Sequence, residues 1–120
     1  MVAGIHNLAA KIAGALRVVA TTANTTLTTA QIMDDGLLFV QADSSTAHTI
    51  TLPAAAAQYA GRFILIGNCV HATHNITLDS ATDGFGGTAG LNAVTIDGGE
   101  VVEVFCDGTY WYVNSATVAA

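Results

Sequence analysis

From Arg17 onward the chain consists of short Val-, Ile- and Thr-rich segments in which apolar and polar residues alternate, separated by turn clusters. Alternation of that kind is the pattern of a strand with one buried and one wet face. In His48-Thr49-Ile50-Thr51-Leu52 the even positions are His and apolar residues and the odd ones are threonine. Asn75 to Asp79 sets Ile76 and Leu78 against Thr77 and Asp79, and Ala93 to Asp97 repeats the pattern with Val94 and Ile96. Glu100 to Cys106 puts Val102, Val104 and Cys106 on one face and Glu103 on the other, between Val101 and Phe105. Two segments, Leu37 to Val40 and Phe63 to Ile66, are apolar on both faces, so each is central in a sandwich or covered by another subunit. Asp34-Asp35-Gly36, Asp83-Gly84, Asp97-Gly98-Gly99 and Asp107-Gly108 mark turns. Together these signals predict an all-β fold: a compact antiparallel sandwich or jelly-roll-like barrel of about 8–9 short strands. Ile50, Leu52, Phe63, Leu65 and Trp111 are the expected core residues.

The first residues read differently. Ile5, Leu8, Ile12 and Leu16 recur at helical spacing, and Ala9 and Ala13 extend the stripe, which predicts a short amphipathic helix or a conditionally ordered arm. A helix of about 16 residues is marginal in isolation, so the stripe must be buried on the β body, on a neighbouring subunit or on a partner surface. The division is therefore an N-terminal arm over 1–16 and a single β domain over 17–120. At 120 residues the chain has room for one core.

Charge excludes several functions. Only 10% of residues are charged while 52% are apolar, so the solvated shell is thin and surface is expected to be hidden in partners. The basic residues are Lys11, Arg17 and Arg62, scattered through a chain of net charge −6. Phosphate backbones and anionic membrane surfaces require clustered Lys or Arg, so neither nucleic acid nor membrane is an expected partner. No apolar run approaches the roughly 20 residues that span a bilayer, and no basic region precedes the apolar prefix as in a signal peptide. Cys69 and Cys106 are too few for a disulfide framework and read as buried, reduced thiols.

Candidate chemistry is sparse. Cys69-x-His71-x-x-His74 is the most metal-like cluster, but it lacks a fourth local ligand, and in an extended segment His74 faces away from the other two. No orienting carboxylate or oxyanion site accompanies it for nucleophilic catalysis. Gly84-x-Gly86-x-x-Ala89 matches a loose dinucleotide fingerprint, yet a strand follows where the fingerprint requires a helix. Asp34-Asp35, Asp79 and Asp83 do not follow a calcium loop. Asn24-Thr25-Thr26 and Asn75-Ile76-Thr77 are glycosylation sequons by pattern alone. In Tyr110-Trp111-Tyr112 strand alternation sends Trp111 to the core and both tyrosines to the other face. No catalytic residue, metal or cofactor is expected.

Leu16-Arg17-Val18-Val19, the Thr-rich Asn24 to Thr29, Thr49-Ile50-Thr51-Leu52-Pro53-Ala54-Ala55, Gly61-Arg62-Phe63-Ile64-Leu65-Ile66 and the closing Asp107-Gly108-Thr109-Tyr110-Trp111-Tyr112-Val113 follow one another in an order that resembles a known module. It is the small β-rich module of tailed-bacteriophage virion proteins, found in tail-fibre tips and in head decoration or cement proteins. The resemblance covers residues 16–114. It implies an all-β homotrimer on the outer capsid surface of a virion, with the major capsid protein lattice as partner and no enzymatic activity. A fibre tip normally follows a long trimerising shaft, whereas here only a short apolar prefix precedes the module, which leans toward decoration over a receptor-binding tip. In that setting Ile5, Leu8, Ile12 and Leu16 are the expected capsid contacts.

Overall fold

The computed structural model describes residues 16–71, 73–81 and 84–114. Among these residues there are nine strands: β1 Leu16–Thr21, β2 Thr25–Thr26, β3 Leu37–Asp43, β4 His48–Thr51, β5 Phe63–Val70, β6 Ile76–Asp79, β7 Ala93–Ile96, β8 Val101–Cys106 and β9 Trp111–Asn114. A short helix, α1 Thr29–Met33, lies between β2 and β3. The fold is all-β, and the alternating segments form strands where the periodicity places them.

Pairing departs from the expected antiparallel arrangement. The five-stranded sheet runs β1-β3-β5-β8-β9 and the four-stranded sheet β2-β4-β6-β7. β1, β3 and β5 pair in parallel, as do β2, β4 and β6. The chain therefore winds through three coils, each giving one strand to each sheet. It then reverses: β7 adds antiparallel to β6, β8 to β5 and β9 to β8. Parallel neighbours cannot be joined by a tight hairpin, so the return path of each coil runs through the opposite sheet. The turn clusters are thus corners between sheets as often as hairpins, and their Gly and Asp chemistry is the same in both settings.

One core lies between the sheets. Leu38, Val40, Ile64, Ile66, Val102 and Val104 from the larger sheet meet Ile50, Ile76, Leu78 and Ile96 from the smaller one, all essentially without solvent exposure. Ile50, Leu52 and Trp111 lie in this core. Phe63 and Leu65 do not: Phe63 is 48% exposed and Leu65 half-buried, while their neighbours Ile64 and Ile66 point inward. Because the segment is apolar at every position, its alternation carries no information about which parity faces the core, and the expected set was displaced by one residue. Leu16 opens β1 and is exposed, so it belongs to the sheet and not to an arm. Ile5, Leu8 and Ile12 lie outside the described residues. Cys106 is buried and Cys69 only partly so.

The ends of the core are closed by specific polar contacts. Trp111 Nε1 donates to the Pro53 carbonyl at 2.8 Å, and the indole packs against Tyr59 with ring centroids 5.6 Å apart. The Tyr59 hydroxyl is bonded to that of Thr29 at 2.7 Å, which ties this end to α1. Thr28 and Gln31 form a reciprocal capping box that starts α1, and its Ile32 plugs the core. At the other end of α1 the Arg17 guanidinium donates to the carbonyls of Gln31, Asp34 and Asp35 at 2.7, 3.1 and 2.7 Å. The helix is thus held against β1 by a side chain on the inner parity of that strand. At the far corner, buried Asn68 donates through Nδ2 to the carbonyls of His74 and Ile96, clipping β5 to the segments that flank the smaller sheet.

Two outcomes follow for stability. Trp111→Ala is expected to lower the unfolding free energy by about 3–5 kcal/mol in urea titrations, since it empties a large cavity and orphans the Pro53 carbonyl. Asp107, in the β8–β9 turn, accepts from the amides of Tyr110 and Thr109 and from the Tyr112 hydroxyl, and these bonds, the Tyr110 amide foremost, hold its carboxyl below the ordinary value of 3.8. A folded value below the unfolded one makes the contribution complete above the unfolded value and lost as pH falls through the folded one. Asp107→Asn is expected to flatten that part of the acid limb in urea melts taken between about pH 2 and pH 5.

Candidate functional site: an apolar sheet face

The two outer faces differ in chemistry. On the four-stranded sheet the outward register rows carry Thr49, Thr77 and Thr95, and next to them Thr51 and Asp79. This is a wet face.

The five-stranded sheet is the reverse. Among the described residues no helix packs on the outside of its strands, and their outward positions are mostly apolar. Register places Leu16 beside Leu37, Phe63 beside Phe105 and Phe105 beside Tyr112, which makes one row across the whole sheet without a charge. The next row runs Val18, Phe39, Leu65, Glu103 and Asn114. A third carries Ala20, Gln41, Gly67 and Val101. Val18 and Val101 are each more than half exposed. The segments expected to be apolar on both faces, Leu37 to Val40 and Phe63 to Ile66, are therefore the central strands of a sheet that buries one face internally and leaves the other bare.

The aromatic part of this face is ordered. Phe63 and Phe105 stack with centroids 5.4 Å apart, and Phe105 and Tyr112 with centroids 5.2 Å apart. Three strands thereby present one flat aromatic ridge, fixed at its outer end by the Tyr112 hydroxyl on Asp107 Oδ2 at 2.9 Å. Behind it, Gly67 lets Phe39 lie across β5: a Cβ at Gly67 would fall 3.0 Å from the Phe39 ring and 2.7 Å from Cys69 Sγ. The glycine turn Phe85–Gly87 meets the edge of the same sheet, with Gly87 against the Tyr110 ring.

The other candidates separate in space. His71 Nδ1 is 2.8 Å from Asp43 Oδ1, and His74 Nδ1 donates to the Ser44 carbonyl at 2.9 Å. The Ser45 amide and then His71 hold the Asp43 carboxyl below its ordinary value, while partial burial pushes the Cys69 thiol up. The two imidazoles serve the corner after β3, and among the described residues no three His, Cys, Asp or Glu side chains converge as a metal site. Gly84-x-Gly86-x-x-Ala89 forms a turn and then a loop leading to β7, not the start of a helix. Asn24 of the first sequon uses its side-chain oxygen to accept from the Thr49 amide at 2.8 Å. The aromatic ridge was missed in sequence because its members are far apart along the chain; only strand pairing brings them side by side.

Comparison of the chain with protein-family models, with curated proteins and with solved structures gives no match in any of the three.

The contact of Phe39 with Gly67 is directly testable. Gly67→Ala is expected to displace the Phe39 ring and cost about 1–3 kcal/mol in urea titration, as overpacking does elsewhere. Cys69→Ala in the same chain is expected to recover part of that loss, since it removes the nearest atom to the added methyl.

Proposed function

We propose that this protein is a structural, homo-oligomeric component, and that the outer face of the five-stranded sheet is its self-assembly surface. The bare apolar face carries the proposal. Five strands at about 4.8 Å spacing and three outward rows at about 6.6 Å repeat cover roughly 500 Å² per copy. The face of one copy is thus near the largest apolar patch a typical monomer exposes, about 300–600 Å², and three copies gathered round one axis would remove about 1,500 Å² from water in all. Charge also favours a second copy as the occupant. Each chain has a net charge of −6, and two copies approach with least repulsion through these three rows, which carry one carboxylate, Glu103, among mostly apolar groups.

Joined to the resemblance noted above, self-assembly through this face fits a homotrimeric phage decoration protein that binds the major capsid protein lattice from outside. A lattice of repeated weak sites multiplies attachment by avidity, so a small module with few charges serves there. In this proposal residues 1–15 contact the shell and the sheet face holds the oligomer together.

Two measurements separate the parts. Light scattering is expected to give about three times the 12.2 kDa of one chain, and Phe105→Asp is expected to give a folded monomer, because assembly would desolvate a new carboxylate. Retention of the wild-type mass by a folded Phe105→Asp variant would remove the sheet face as the interface. A chain lacking residues 1–15 is expected to keep its oligomeric mass and to stop binding capsid shells; full binding would place attachment elsewhere.

A further inference from the structure

Glu103 is out of place on the assembly face. It sits on β8 directly opposite Leu65 of β5 and Asn114 of β9, with Val101 and Phe105 two positions away on its own strand. Its side chain is already partly buried, and it makes no hydrogen bond or ion pair with any described residue.

The groups that face it offer no counter-charge. On β5 the outward neighbours are Phe63, Leu65 and Gly67; on β9 they are Tyr112 and Asn114. Tyr112 alone among these is titratable, and its hydroxyl is already bonded to Asp107. The nearest strands beyond contribute Phe39 and Val18 to the same row. Arg17 has the inner parity of β1 and is occupied by the carbonyls after α1, and Arg62 shares the parity of inward-facing Ile64. Among the described residues, a second copy of this face therefore brings no basic group to meet the carboxylate.

We propose that self-assembly through the five-stranded sheet is coupled to proton uptake by Glu103, which makes the oligomer tighter at mildly acidic pH than at neutral pH. The inference rests on the assembly surface proposed above. Covering an unpaired carboxylate with apolar surface is costly, whereas the neutral acid is far cheaper to bury. The reaction balances simply: one proton moves from solvent to each Glu103 carboxylate as the face is covered. Because the assembled state binds more protons, association strengthens as pH falls, by up to about tenfold per pH unit for each proton taken up.

Sedimentation velocity on the full chain across about pH 5 to 8, for wild type and Glu103→Gln, tests this. The wild-type association constant is expected to rise toward low pH, while Glu103→Gln assembles about tenfold or more tightly at pH 7 and loses most of the pH dependence. Every other ionisable group is common to both chains, so only the difference between the two curves reports on Glu103. Equal curves, flat or sloping, overturn the proton coupling while leaving the assembly surface intact. A wild-type monomer at every pH overturns the assembly surface itself, and the coupling with it. Glu103→Gln is nearly isosteric on an outward position, and circular dichroism confirms that any change in mass is not a change in fold.

Discussion

Everything in this fold depends on apolar side chains entering one core from two sheets at once. Each coil of the winding gives one strand to each sheet, and each strand contributes every second residue to the space between them. Val40, Ile50, Ile66 and Ile76 have no measurable exposure, although they come from four strands and two coils. Parallel stacking makes the coils interdependent, because a coil cannot bury its inward residues unless both its neighbours and the opposite sheet are in place. The polar groups that close this core act at its ends. Trp111 with Pro53 and Arg17 with the α1 carbonyls seal one region, and Asn68 clips the corner of β5 to the smaller sheet.

The same geometry explains the exposed face. A strand in the middle of a five-stranded sheet has two faces, and the core takes only one. β3 and β5 are apolar on both, and their outward side chains join those of β1, β8 and β9 into a continuous surface. The stacked Phe63, Phe105 and Tyr112 rings give that surface a rigid ridge, which costs little conformational entropy when covered. Glu103 interrupts it with one charge. On a wet sheet such a residue is unremarked; on an apolar one it is the group whose solvation most strongly opposes covering the face.

Much of the fold was legible in the chain. The wet-faced strands around Ile50, Ile76 and Val94 appear where alternation places them, since one polar and one apolar face leave a single parity for the core. The capping box of Thr28 and Gln31 was also available as a local signal for α1. For Phe63 to Ile66 the two parities were chemically equivalent, and the inward residues proved to be Ile64 and Ile66 instead of Phe63 and Leu65. Pairing direction was not legible at all, because a strand of given composition looks the same whether its neighbour runs parallel or antiparallel.

What the sequence determined by itself is local: strand positions, the wetness of the threonine-bearing face, the absence of clustered positive charge, and the presence of segments too apolar for a one-sided strand. Those properties follow from side-chain chemistry at alternating positions and need no knowledge of neighbours. Tertiary structure alone decided that the strands wind in parallel, that Arg17 reaches α1, and that Leu16, Phe63, Phe105 and Tyr112 belong to one surface. The physical reason is sequence distance. Residues from β1, β5, β8 and β9 become adjacent only through inter-strand hydrogen bonding, and that register is set by the whole core at once.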